Sequence, residues 1–233
     1  MTQSEPRIIF EDTHLIVLSK PPGMLSQSDI SGDESLVDWL RKYIGRNYVG
    51  LVHRLDRNTS GIMVVGKRSK AANRLTEALQ AGEIERSYIA VVEGTPPDHA
   101  QLEHWLLKDE KTNEVRVVDA AKAATLRAKI AKLSYTCFAK HRLKINSDIV
   151  YVAGLHLKLE TGRGHQIRVQ CAHEGLALLG DKKYGSLINE PGRPALHSYK
   201  MKMPHPMSKD VLEFTDPVPA DLQKLLPENV VWP

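Results

Sequence analysis

His53-Arg54-Leu55-Asp56-Arg57-Asn58-Thr59-Ser60-Gly61 is the densest polar stretch of this 233-residue chain, with two arginines flanking one aspartate. A carboxylate beside guanidinium groups stays ionised at neutral pH, because the opposite charge favours its charged form. Such an Asp56 suits a nucleophile or an electrostatic stabiliser and makes a poor general acid. The same residues also suit a tight turn, in which Asp56, Asn58 and Ser60 bond nearby backbone amides. The residue types alone leave both readings open.

A second cluster is Thr161-Gly162-Arg163-Gly164-His165-Gln166-Ile167-Arg168. Its glycines permit close backbone approach, and a helix opening here offers amides to an anion. Arg163 precedes that helix, and Arg168 lies about one turn inside it. Arg168 can reach a buried carboxylate such as Asp56 in a bidentate pair, or it can be a surface arginine on an amphipathic helix. Tyr88, on a strand, can stack on a nucleic-acid base or simply pack. No phosphate-binding GxxxxGK[ST] loop, GxSxG elbow or GxGxxG turn occurs. His165 and His173 are eight apart, as are His197 and His205, and neither spacing is that of a metal-binding helix. No metal site is expected.

These clusters need a scaffold. Residues 7–10 and 15–18 read as a strand pair, with Lys20-Pro21-Pro22-Gly23 stopping regular structure. Residues 35–44 read as a helix ended by Gly45, and 69–81 as a second ended by Gly82. The Asp56 loop and a short strand, 62–65, fall between them. Further strands are expected at 87–93, 115–118, 155–159, 197–203 and 211–214. Helices are expected at 165–173 and 219–226, and 125–135 fits a helix almost as well as a strand. Strands outnumber helices without alternating with them, so the expected class is α+β with a mainly antiparallel sheet and flanking helices.

Composition sets bounds on partners. The chain is 42% hydrophobic and 26% charged, ordinary globular values that exclude a wholly disordered chain. Two cysteines, Cys137 and Cys171, exclude a disulfide framework. The start lacks a signal-peptide pattern and no stretch approaches about 18 apolar residues, so a soluble cytoplasmic protein is expected, with no membrane partner. Net charge is +4, but residues 120–147 contain no acid while holding Lys122, Arg127, Lys129, Lys132, Lys140, Arg142 and Lys144. With Tyr135 and Phe138 interleaved, this stretch can attract phosphates, or it can be a solvated face whose counter-charges lie elsewhere.

Taken together and in this order, these segments resemble the RluA-type family of RNA pseudouridine synthases. The family's HRLDxxTSG signature and following apolar run match residues 53–65. Its strand pair ending in KPxG matches 15–23, and its tyrosine strand matches 86–94. TGRxHQIR matches 161–168, and GDxxYG matches 180–185. The closing pattern appears at Leu196-His197, His205-Pro206 and 219–222. Two positions depart: Gly164 stands where many relatives carry Thr, and Cys171 where His is frequent.

The resemblance implies one catalytic domain over 1–233, a central mixed sheet and an RNA-binding cleft. With six residues ahead of the first strand, it implies the compact branch lacking an S4-type domain. It implies no cofactor, no obligate protein partner and a monomer. The substrate implied is ribosomal RNA, tRNA or both. By resemblance Asp56 is the catalytic aspartate, Tyr88 stacks on the target uracil, and Arg168 pairs with Asp56. Arg54 displaces or holds the flipped nucleotide. His53, Arg57, Arg163, Lys129, Lys132 and Arg142 are expected as further RNA contacts. Pseudouridylation breaks the N1–C1′ bond and rejoins uracil through C5. Asp56 adding to C1′, or removing the C2′ proton to give a glycal, are both compatible with these residues. The alternative is an inactive RNA-binding or ribosome-assembly factor of the same fold. Binding alone would not require Asp56.

Overall fold

The computed structural model describes residues 5–145 and 148–233; residues 1–4, and Asn146 and Ser147 at the end of the basic stretch, lie outside them. The chain divides into two compact units, Met1–Arg86 with Ser198–Pro217, and Ser87–His197 with Val218–Pro233.

In the first unit, β1 (Arg7–Glu11) and β2 (Leu15–Lys20) form the expected hairpin, Arg7 opposite Ser19. Asp12 shapes its turn by accepting the amides of His14 and Leu15 at 2.7 and 2.8 Å. The helix α1 (Leu36–Ile44) starts on a capping box, in which the Ser35 hydroxyl takes the Asp38 amide and Asp38 takes that of Ser35. Hydroxyls of Ser28 and Ser35 hold the Asp38 carboxyl down at about 2. Gly45, left-handed at φ 68°, ends the helix. After the two-residue β3 (Gly50–Leu51) and the Asp56 loop comes β4 (Ser60–Gly66), buried along its whole length. Then follows α2 (Ser69–Gln80). The strand order runs β1-β2-β4. Leu15 and Val17 of β2, Ile62 and Val64 of β4, and Leu75 and Ala78 of α2 share one core with Met201 and Met203. Burying each large aliphatic side chain contributes roughly 1.5–3 kcal/mol.

The second unit opens on β5 (Glu85–Glu93), followed by β6 (His99–Asp109) and β7 (Glu114–Val118). The stretch that fitted helix and strand equally is divided. A short α3 (Ala120–Leu126) ends at Arg127, left-handed at φ 56°, and β8 (Lys129–Ile145) follows. Its partner β9 (Asp148–Leu159) completes a long hairpin with a bulge between Cys137 and Ala139. The order here is β5-β9-β8-β6-β7. The helix α4 (Gln166–His173) packs on β6 and β7, where Val169 joins Leu106, Val115 and Ala131.

Strand β10 (Leu196–Pro204) brings the chain back to the first unit, pairing with β11 (Val211–Thr215); α5 (Ala220–Gln223) lies near the end. Every strand pair with a described register is antiparallel, as the α+β reading expected.

Gly61 shows how tightly β4 is enclosed. Its φ is +114°, and a Cβ there would lie 2.2 Å from the carbonyl oxygen of Ser198. Gly61→Ala must therefore move backbone. It is expected to lower the unfolding free energy in urea by about 2–4 kcal/mol, combining strain and overpacking. A loss below about 1 kcal/mol would contradict this packing.

Candidate active site

The loop carrying Asp56 is fastened to the segment after β2. Lys20 is fully buried, and its ammonium donates to the carbonyls of Pro21, Met24 and Arg57 at 2.9, 2.9 and 3.0 Å. A buried ammonium is costly unless hydrogen-bonded, so these carbonyls are held where the charge needs them. The Arg57 carbonyl also takes the Gly23 amide at 2.9 Å, and Arg57 Nε returns a bond to the Gly23 carbonyl at 3.0 Å. Ser26 makes a second clasp: its hydroxyl donates to the Leu55 carbonyl at 2.7 Å and accepts the Leu55 amide at 3.1 Å. The Asp56 carbonyl takes the Thr59 amide at 3.0 Å, so the turn reading holds for the backbone. Asp56 is half-buried, while Arg54 and Arg57 are exposed and Arg57 pairs with Asp33 at 2.6 Å.

His53 is not at the surface. The RNA contact expected of it is corrected by its position, because the ring is buried and Nε2 accepts the Val64 amide at 3.2 Å. Burial first, and then the Arg86 charge, push its pKa down to about 3. The imidazole is therefore neutral with its proton on Nδ1. It braces β4 against the loop from within.

In the second unit, Arg168 is buried and forms a bidentate pair with Asp181, Nε to Oδ2 at 2.6 Å and Nη2 to Oδ1 at 2.8 Å. On these two nitrogens the carboxylate is Asp181, in the GDxxYG turn. The Arg168 guanidinium also lies over the Tyr184 ring at 4.9 Å. The Tyr184 hydroxyl meets His165 Nδ1 at 2.6 Å and accepts the Val115 amide at 3.1 Å. His165 is left-handed at φ 53°, which turns its ring toward this cluster. Gln166 ties the preceding turn to β8, accepting the Thr161 hydroxyl at 2.8 Å and donating to the Lys132 carbonyl at 3.0 Å. Arg163 is exposed, its Nε on the Ile130 carbonyl at 3.0 Å. Tyr88, on β5, lies opposite Leu157 and is 4% exposed.

The basic stretch resolves into unlike parts. Lys132 meets Glu103 at 2.7 Å and Lys140 meets Asp98 at 2.7 Å, counter-charges from outside the stretch. Lys129 and Arg142 are exposed.

His104, His173 and Glu174 bring three metal-ligating atoms within 4.8 Å of one another. The Gln170 amide nitrogen, oriented by the Leu102 and Ala131 carbonyls, faces His104 Nδ1 at 3.1 Å. That leaves the proton on Nε2, which donates to Glu174 at 3.1 Å. The cluster is thus organised as a hydrogen-bonded chain. An open groove of about 750 Å³ is lined by Glu11, Tyr43, Lys67 and neighbours, and by no residue named from sequence as a site. Within it Glu11 accepts from Lys67 at 2.6 Å and from Tyr43 at 2.9 Å.

The chain shares its fold with a solved structure. It aligns over 100% of its length, and 93% of the other chain, with human RNA pseudouridylate synthase domain containing 1, at a TM-score of 0.80 and 19% identity. Residues 14–173 match the RNA pseudouridylate synthase family, and the chain belongs to that family. It is 34% identical to the uncharacterised RNA pseudouridine synthase YjbO of Bacillus subtilis, over 94% of this chain and 75% of that protein. It is 32% identical to ribosomal large subunit pseudouridine synthase D of Vibrio cholerae, over 94% and 69%. Synthase C of Buchnera aphidicola is 31% identical over the same shares. The chain is an RNA pseudouridine synthase of the RluA type. The matched span includes Asp56, Tyr88 and Arg168 and stops short of Asp181.

Two consequences can be measured. His53 stays neutral in the folded state to about pH 3, whereas the unfolded imidazole titrates near its ordinary value. Between about pH 6.5 and pH 3 the unfolded state therefore binds the extra proton. Stability falls with falling pH by up to about 1.4 kcal/mol per unit. His53→Gln, which retains an acceptor for Val64, is expected to remove most of that slope in urea titrations at pH 4–7. Asp181→Asn removes the counter-charge held on Nε and Nη2 of a buried guanidinium. It should cost about 3–5 kcal/mol in the same assay, against under about 1 kcal/mol for an exposed pair.

Proposed function

We propose that Asp56 is the group that acts at the ribose, and that the RNA modified is that of the large ribosomal subunit. The observation that supports the first part most is the double clasp under the loop. The Lys20 and Ser26 bonds hold the backbone on both sides of Asp56 and leave its side chain half-buried. A carboxylate held this way needs little reorganisation as charge develops at C1′. What supports the second part is the naming of the Vibrio and Buchnera relatives as large-subunit synthases.

In this reading the uridine leaves its stack, at a cost of a few kcal/mol. Tyr88, almost wholly covered in the free protein, offsets about 1–3 kcal/mol of that cost by stacking once the base displaces what covers its ring. Arg54, exposed beside the loop, fills the vacated space or holds a phosphate. Asp56 then adds to C1′ as N1 leaves, or takes the C2′ proton. Either way uracil turns and its C5 bonds to C1′, and the C5 proton is lost afterwards. Arg168 is the basic residue assigned to the reacting carboxylate.

The test is pseudouridine formation by purified protein on unmodified large-subunit transcripts, with tRNA transcripts alongside. Asp56→Asn is expected to bind RNA within about threefold of wild type while turnover falls at least about 10⁴-fold, as when a covalent or proton-transferring group is removed. Wild-type-like turnover by the variant would overturn the role of Asp56. Modification of tRNA alone would overturn the ribosomal assignment.

A further inference from the structure

The β8–β9 hairpin carries a surface that the core does not explain. Directly opposed residues of an antiparallel pair point to the same face, and the register sets Arg142 opposite Tyr151 and Lys144 opposite Ile149. Lys140, two residues before Arg142, shares that side. Arg142 and Lys144 are exposed, and Tyr151 and Ile149 are exposed to 50% and 64%. The other face carries Leu143, Val150 and Val152, half-buried or buried. The strands thus alternate normally, yet their outward side bears an aromatic ring, an isoleucine and cations where a solvated face would carry small polar groups.

The pieces are arranged for use. The Arg142 guanidinium lies 5.3 Å from the centroid of the Tyr151 ring, so two planar groups sit together at the surface. Lys140, Arg142 and Tyr151 line a shallow pocket of about 280 Å³ together with Thr95, His141 and Val152. Lys140 is engaged by Asp98 at 2.7 Å at the base of the hairpin. Among the described residues no carboxylate forms an ion pair with Arg142 or Lys144. Bases stack on aromatic rings and guanidinium planes, and phosphates seek the cations beside them.

We propose that this outward face of the β8–β9 hairpin is an RNA-binding surface in its own right, taking an unpaired stretch of the substrate RNA. Tyr151 and Arg142 stack on a base, and Lys144 and Arg142 meet the flanking phosphates. Ile149 supplies apolar contact at the edge. The inference rests on RNA as the substrate of this family and not on which residue reacts at the ribose. Its test reads binding alone and stands even if the role of Asp56 fails.

The probe is an unstructured RNA of about 16 nucleotides, the upper end of single-strand site sizes. Affinity is measured by fluorescence anisotropy across a potassium chloride series, for the full chain and its variants. Tyr151→Ala is expected to weaken binding about tenfold, and Tyr151→Phe, which keeps the ring, to stay within about twofold of wild type. The double variant Arg142→Gln with Lys144→Gln should flatten the log K against log salt slope by about 1.4, two charges at about 0.7 each. Ultraviolet crosslinking should place a nucleotide on the peptide containing Tyr151. All four side chains point outward, so melting temperatures should match wild type and confirm that each variant is folded. Affinities and slopes unchanged in folded variants would overturn the proposal. So would loss of self-association in sedimentation by Tyr151→Ala with RNA binding intact, which would make the face a protein contact.

Discussion

The Lys20 ammonium is buried and must find its acceptors in the backbone, and one of them belongs to the loop that carries Asp56. Lys20 closes β2, whose other residues lie in the core beside β4. The strand pairing therefore fixes where the charge sits, and the charge fixes where the Pro21, Met24 and Arg57 carbonyls turn. A loop of polar residues would otherwise be the most mobile part of this unit. Here its backbone is tied down from both sides of the aspartate, because releasing it would strand a cation in a dry environment.

The second unit solves a similar problem with a full counter-charge in place of carbonyl dipoles. Arg168 is fixed at two nitrogens by Asp181, and the ring of Tyr184 lies against its plane. Tyr184 is in turn held by His165 and the amide of Val115 on β7. A planar guanidinium loses its freedom of rotation in such a setting, so whatever its remaining donors address meets them in a set orientation. The two devices differ in fragility. Three weak dipoles tolerate the loss of one, whereas a buried ion pair does not tolerate the loss of its partner.

The sequence showed more of the scaffold than of the supports. Helix α1 was legible because Ser35, Asp38 and Gly45 are local signals, and β4 because its apolar run is unbroken. Strand β6 and the outer half of β8 were not legible. Their lysines, histidines and arginines alternate with residues that are only half covered, which blurs the period-two pattern. The polar motifs around Asp56 and Arg168 stood out by composition. Lys20 did not, since KPPG reads as a stop to regular structure and nothing local says that its lysine turns inward. Asp181 escaped for a related reason: its partner is thirteen residues away, and only the GDxxYG turn brings them together. His53 was given to RNA by its place in a motif, while burial, a tertiary property, assigns it to the core.

The first unit is discontinuous, and this has a bearing on how the protein is made. The strand that closes over Gly61 begins near Ser198, and Arg7 and Ser19 meet Asp216. A ribosome adding 5–20 residues per second needs roughly 7–30 s to travel the roughly 140 residues between Gly61 and Ser198. Through that interval Gly61 lacks the strand that packs over it. The whole second unit, in contrast, has all but its last short segment available to fold. The packing around β4 is therefore completed only after residues 87–197 have been synthesised.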